Sequence, residues 1–250
     1  MTGRSRARDR SRPSGGGARW TPASISGLRL WLRPSVGVTR PGGFVSAWAD
    51  QSGNGNSLLQ SSAVSQPAYN ESPAAVDFDG TNDRMTGASI ASYFTTSWTM
   101  LGVIELDGLA ASAPNPRRDA AVFHDTNGYA ALTLRSNAGT PQCGSYRLTT
   151  GAVYTTMQGT GVKQVVSASY DHSTGTLLVQ AGLNTPQTLV GTPDNTQAGT
   201  GAIGGFGAMF FGSAYFNGRM FDVCVWNRSL STDERQSMIR GAARANGVVV

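Results

Sequence analysis

Gly218-Arg-Met-Phe-Asp-Val-Cys-Val-Trp-Asn-Arg-Ser-Leu-Ser-Thr-Asp-Glu234 changes character in its middle. Up to Trp226 it is an apolar run rich in β-branched and aromatic residues, entered at the turn pair Asn217-Gly218, as a strand would be. From Ser231 the spacing is that of a capping box. The serine hydroxyl can take an orphan N–H of the first helical turn, and the Glu234 carboxylate can reach back to the cap. Met238, Ile239 and Ala242 then share one helical face, and Asn246-Gly247 is a stop signal. The pattern predicts a last strand within 215–226 followed by one short C-terminal helix.

Outward from this stretch the chain reads as strands and turns. Lys163–Asp171 and Thr176–Leu183 flank His172-Ser-Thr-Gly175, a hairpin signal with glycine where a left-handed residue is needed. Ser97–Leu106 is long and mostly apolar, as expected of a central strand covered on both faces. Leu28–Leu32, Phe44–Ala49, Ala74–Asp79, Ala120–His124, Tyr129–Arg135, Ser145–Thr149 and Ala152–Met157 are further candidate strands. Many strands, regular turns and one late helix predict an all-β antiparallel sandwich.

Composition agrees. With 250 residues the chain is long enough to bury a core without staples. Its 32 glycines argue for turns over helices, and only 14% of residues are charged. The net charge of +5 is segregated: residues 1–19 hold Arg4, Arg6, Arg8, Arg10, Arg12 and Arg19 against one acid, Asp9, whereas residues 20–250 sum to zero. The basic isoelectric point therefore describes an arm, 1–19, and not the body, 20–250, so the body does not read as a nucleic-acid binder. The arm has no aromatic before Trp20 with which to stack bases. It reads either as a charged, flexible extension or as a docking segment for an acidic protein surface or a phosphate backbone.

Cys143 and Cys224 have neither a disulfide-framework nor a metal spacing and read as two buried thiols, with one bridge between them as the alternative. The two histidines, His124 and His172, exclude a histidine-rich metal site. No 18-residue apolar run predicts a membrane span, and the basic start lacks the apolar stretch of a secretory signal.

Gly218, Asp222, Trp226, Asn227, Leu230, Ser231 and Glu234 together resemble the closing strand and helix of laminin G-like, concanavalin A-like domains. The hairpin Tyr170-Asp-His-Ser-Thr-Gly-Thr-Leu-Leu-Val179 is similar to the same family, although Gln180-Ala-Gly182 replaces its usual Asn-Gly or Asp-Gly. Val76-Asp-Phe-Asp-Gly-Thr-Asn-Asp83 and Phe94-Thr-Thr-Ser-Trp98 match its early pattern. The resemblance implies a concanavalin A-like jelly-roll sandwich over roughly residues 24–245. The opening Trp20–Leu32, with Trp48–Gly55, resembles the bacterial and bacteriophage form of the domain. That form implies a virion surface protein (head decoration, head fibre or tail component), oligomeric in its assembly and bound to protein subunits through the arm.

Three chemistries can be weighed on such a sandwich. Glucanases of this superfamily need two carboxylates about 5–5.5 Å apart on one face. Here only Glu105/Asp107 and Asp77/Asp79 are two apart, neither has a third carboxylate, and both run into turns. The expectation is therefore a non-catalytic module. Ca²⁺ needs six to eight oxygens, and two loops carry candidates: Asp50, Asn54 and Asn56, and Asp79, Asn82 and Asp83. Turn formation explains both clusters equally simply, and no cofactor is expected. A cell-surface glycan would need aromatic faces on loops. Trp20, Tyr69, Tyr93, Tyr129, Tyr146, Tyr154 and Tyr215 are available, whereas Trp31, Trp48, Trp98 and Trp226 lie in apolar strands and read as core. The glycine-rich 201–208 segment lacks the βαβ context of a phosphate loop. The leading expectation is a structural or adhesion protein, with a free lectin-like module as the alternative.

Overall fold

The computed structural model describes residues 20–87, 96–108, 120–125, 131–147, 151–193, 201–203 and 215–250. The arm 1–19, and with it its six arginines, lies outside the described residues. The first strands are β1 (Leu28–Leu32), β2 (Val38–Thr39), β3 (Ala47–Trp48), β4 (Leu58–Leu59), β5 (Ala68–Glu71), β6 (Ala74–Asp79) and β7 (Met85–Gly87). Next come β8 (Trp98–Leu106), β9 (Ala120–Asp125), β10 (Ala131–Asn137), β11 (Thr140–Arg147) and β12 (Gly151–Thr156). Last are β13 (Lys163–Asp171), β14 (Thr176–Ala181), β15 (Gln187–Val190), β16 (Gly201–Ile203), β17 (Asn217–Trp226) and the helix α1 (Thr232–Asn246).

One sheet has the order β15-β14-β13-β8-β17-β6-β5, with β1 also paired to β17; the other has the order β12-β11-β10-β9-β16-β7-β4-β3-β2. The pairings between these strands are antiparallel. The all-β sandwich with one C-terminal helix is therefore the observed fold.

Alternation places the core. On β10 and β11 the inward residues Leu132, Leu134 and Cys143 meet Val166, Ala168, Leu177 and Val179 from β13 and β14. The first sheet is buried on its other face too. There Leu101, Val103, Phe221 and Trp226 pack against Met238, Ile239 and Ala242 of α1. Double coverage is why β8 reads WTMLGVIEL with almost no polar alternation. Trp48, Trp98 and Trp226 are fully buried, whereas Trp31 is half-buried.

The capping box forms: Ser231 Oγ accepts from the Glu234 N–H, and the Glu234 carboxylate accepts from the Ser231 N–H at 3.0 Å. Arg228 grips the same carboxylate with both Nη groups, at 2.8 and 2.5 Å. These donors, Arg228 first, pull Glu234 down to about 2. Asp222, buried on β17, accepts from Trp31 Nε1 and Asn246 Nδ2, which ties β1 and the end of α1 to the central strand. Cys143 and Cys224 are both free and buried, one in each sheet, and burial pushes both thiols up.

One boundary differs materially from the sequence expectation. The strand placed at 145–149 is β11, Thr140–Arg147, because Ala138 and Gly139 both take positive φ (48° and 85°) and turn β10 directly into it. Two left-handed residues make the tight hairpin turn, and alanine in the first of them is not the Asn or Asp that signals it.

Candidate functional site

Two surfaces at different places in the sandwich carry the concentrated chemistry. The first is the outer face of β10–β12. Val153 and Cys143 point into the core, so strand parity sends Tyr154, Gly144, Gln142 and Arg135 outward. Tyr154 lies over Gly144: a Cβ on that glycine would stand 2.2 Å from the ring. The Arg135 guanidinium sits 3.3 Å from the Tyr154 ring centroid, and its Nε donates to Gln142 Oε1 at 2.9 Å. Neither Nη of Arg135 has a hydrogen-bond or ion-pair partner among the described residues. Residues 126–170 contain no Asp or Glu, so this half-buried cation stands in an acid-free stretch. A guanidinium held flat, with two outward donors, suits a planar anion.

The second surface is acidic and lies where β17 begins. Register aligns Asp77, Arg219, Glu105 and Lys163 across β6, β17, β8 and β13, a row of alternating sign. Arg219 Nη2 donates to Glu105 at 2.7 Å and to Asp107 at 3.3 Å. The Glu105/Asp107 pair is thus held by an arginine in the ladder. Beyond it, Asp77, Asp79, Asp83 and Asp107 line a cleft of about 530 Å³ together with Phe44, Val64 and Phe78. Asp79 Oδ1 accepts from the Thr81 and Asn82 N–H groups, and Asp83 Oδ2 accepts from the Asp79 N–H. Burial first, then the Asp79 and Asp77 charges, push Asp83 up to about 6 despite that hydrogen bond. Burial, then Asp107, also raises Asp77.

The other sequence candidates resolve into contacts. Asp50 is saturated: Oδ1 accepts from the Trp31 and Ser52 N–H groups, and Oδ2 from Ser52 Oγ and the Asn56 N–H. Asn54 and Asn56 donate to the carbonyls of Leu28 and Arg29, so the loop is clasped onto β1. Asp79, Asn82 and Asp83 hold the turn after β6. Among the described residues no three His, Cys, Asp or Glu side chains come together as a metal-binding group.

The aromatics divide similarly. Tyr69 lies under Arg40 at 4.0 Å and donates its hydroxyl to the Pro34 carbonyl. Tyr146 is buried, Tyr215 is half-buried, and Trp20 packs on Gly241 of α1. Tyr93 and Tyr129 lie outside the described residues, as does 204–208 of the glycine-rich segment. Sequence reasoning named Tyr154 but missed Arg135, Gln142 and Gly144. The available signal was Arg135 lying seven residues before Gln142 around a turn, in a stretch without acids.

Two antiparallel sheets face to face, with one helix on the back of one of them, define an antiparallel β-sandwich of the jelly-roll kind, consistent with a concanavalin A-like fold. No family model matches the chain, and no curated protein matches it. Among solved structures, Trypanosoma rangeli sialidase in complex with sialic acid is similar at a TM-score of 0.60 and 15% identity, over 88% of this chain and 34% of that one. This chain thus spans about a third of the sialidase's length. The binding domain of botulinum neurotoxin DC in complex with SialylT is similar at a TM-score of 0.56 and 8% identity, over 86% of this chain and 51% of that one. The native heptameric SAP-like pentraxin of Limulus polyphemus is similar at a TM-score of 0.50 and 16% identity, over 65% of this chain and 80% of that one. At these identities the likeness speaks to the fold alone.

Proposed function

We propose that the chain is a non-catalytic, lectin-like module that binds a glycan bearing a carboxylate or sulfate on the outer face of β10–β12. The observation that carries this reading is Arg135, stacked on Tyr154, oriented by Gln142 and with neither Nη group engaged among the described residues. Guanidinium forks pair with planar anions bidentately, and half-buried ones do so with less screening. Two structural neighbours, the sialidase in complex with sialic acid and the toxin binding domain in complex with SialylT, lend support at the level of whole proteins, since this chain matches 34% and 51% of their lengths. The non-catalytic part rests on the carboxylates: Glu105 and Asp107 are tied to Arg219 and lie on a different surface from Arg135.

A glycan array containing neutral, carboxylated and sulfated sugars tests the reading. Wild-type protein is expected to bind the anionic set, and Arg135→Ala and Tyr154→Ala are each expected to lose at least tenfold in affinity. Silence of the wild type across the array would overturn it.

A second reading concerns the arm. The whole net charge resides in residues 1–19 while residues 20–250 are neutral, which suits a segment that fastens the sandwich to a larger assembly such as a virion surface. Co-sedimentation with the native particle, comparing wild type with a chain whose arm arginines are replaced by serine, is expected to retain only the wild type. Equal retention of both removes the anchoring role.

A further inference from the structure

We propose that the acidic cleft at the start of β17 receives the arginine-rich segment 1–19 of a second copy of the chain, joining copies head to tail. The inference rests on the reading of 1–19 as a docking arm and names what it docks into.

The cleft has the chemistry of a guanidinium acceptor. Its apolar wall includes Phe44 and Val64, which are 52% and 75% exposed although both are large hydrophobic residues. Asp79 and Asp107 stand at its rim. Asp83, only 6% exposed, lines it too; Oδ2 is held by the Asp79 N–H, and Oδ1 takes no donor among the described residues. A nearly buried carboxylate with an open acceptor facing a cleft calls for a donor, and Arg219, the cation paired with Asp77 across β6 and β17, is already engaged by Glu105 and Asp107. A guanidinium satisfies both wall and rim, since its flat faces lie on aromatic carbon while its edge donates to carboxylates.

The chain supplies such groups. In Arg4-Ser-Arg-Ala-Arg-Asp-Arg-Ser-Arg12 the arginines are two apart, separated mostly by small residues. An extended segment would present them on one side, about 7 Å apart. We assign the donor to another copy, because an extended arm could bring to its own cleft only the arginines before Arg12. Residue 20, where the arm joins the body, packs on Gly241 of α1, and the nearby Ile25 carbonyl accepts from Trp226 Nε1 at the far end of β17. The cleft is at Asn217, nine residues back along that strand, or about 30 Å away. A plug and a socket at opposite ends make a heterologous contact, which links copies in rows or rings instead of closing a symmetric pair.

Sedimentation velocity on nuclease-treated, full-length protein over a concentration series tests this. Wild type is expected to self-associate in low salt and to revert to monomer at about 0.5 M salt, where exposed charges are screened. A chain with Arg4, Arg6, Arg8, Arg10 and Arg12 changed to serine, and a separate chain carrying Asp79→Asn and Asp83→Asn, should each remain monomeric alone. Mixed, they should form dimers and nothing larger, because one good arm and one good cleft are present. Thermal unfolding of each variant establishes that both are folded. A wild type that stays monomeric overturns the proposal, whether the arm lies in its own cleft or elsewhere. Undiminished association of the asparagine variant overturns it as well. If the arm variant loses the native particle while wild type does not self-associate, the docking arm stands and the cleft assignment falls.

Discussion

The outer face of β10–β12 and the cleft at the start of β17 are both polar surfaces on one sandwich, yet they handle charge in opposite ways. On the first, a single cation is set on an aromatic ring in a stretch without carboxylates. On the second, carboxylates outnumber cations, and burial, reinforced by the neighbouring negative charges, raises the proton affinity of Asp83 and Asp77. Each rests on a glycine, again for different reasons. Gly144 is small so that the Tyr154 side chain can lie on it, whereas Gly218 is small because the backbone of β8 passes beneath it. Side chains can move aside and backbone cannot, so the two surfaces should differ most in how they tolerate a methyl group.

Gly218→Ala should give the largest effect. Its φ is 143°, and a Cβ would stand 2.2 Å from the Glu105 carbonyl oxygen and 3.0 Å from Leu106 Cα. Strain and clash together should cost about 3 kcal/mol or more. For a chain of this size that lowers Tm by roughly 6–12 °C. Calorimetry checks it, and an unchanged Tm would mean that the β8–β17 contact relaxes freely.

Asp83→Asn should act in the opposite direction. The folded state raises this carboxyl from 3.8 to about 6, so the folded chain binds the proton more tightly than the unfolded chain does. The sign follows: stability falls as pH rises through the window from about 4 to 6, and the loss is complete above it. Asparagine removes the charge and keeps an oxygen for the Asp79 N–H. At pH 7.5 it should stabilise by about 1–3 kcal/mol, and near pH 4 the difference should shrink towards zero. Unfolding curves at the two pH values test this, and a variant less stable than wild type at pH 7.5 would show that the ionised form is needed by the fold.

How much of this contrast was legible in the sequence depends on the kind of signal. The capping box at Ser231, the hairpin at Gly175 and the unbroken apolar run of β8 are local patterns, and all three appear where the residues put them. The short strands β2, β4 and β7 have too few residues to show a period. The turn at Ala138-Gly139 lacks the usual residues, so β11 was displaced. For the two surfaces the obstacle was different. Asp77/Asp79 and Glu105/Asp107 were visible as pairs two apart, but whether a pair is catalytic, structural or part of a cleft depends on Arg219, more than 100 residues away in the chain and adjacent only through register. Likewise Tyr154 was one aromatic among seven candidates until strand pairing placed Gly144 beneath it and Arg135 over it.

Gly144→Ala probes the other side of the comparison. The new methyl would meet Tyr154 Cδ1 at 2.2 Å, and the ring can swing away at a cost of about 1 kcal/mol, far less than at Gly218. Binding should suffer more than stability: without the ring under it, Arg135 loses its platform, and affinity for an anionic glycan should drop about tenfold. Full binding with normal Tm would remove Tyr154 from the site.

Arg135→Lys should be the smallest change and the most specific one. Charge is retained on a half-exposed side chain, so stability should move by less than about 0.5 kcal/mol. What goes is the planar fork, both its stacking on Tyr154 and its paired outward donors. If the face recognises a carboxylate or sulfate by geometry, calorimetric affinity should fall roughly fivefold, and the residual binding should weaken further with salt, since an ammonium on a flexible stem acts as a point charge. Affinity unchanged from wild type would mean that the acid-free stretch attracts anions by charge alone. The contrast with the carboxylate cleft would then be one of sign and not of construction.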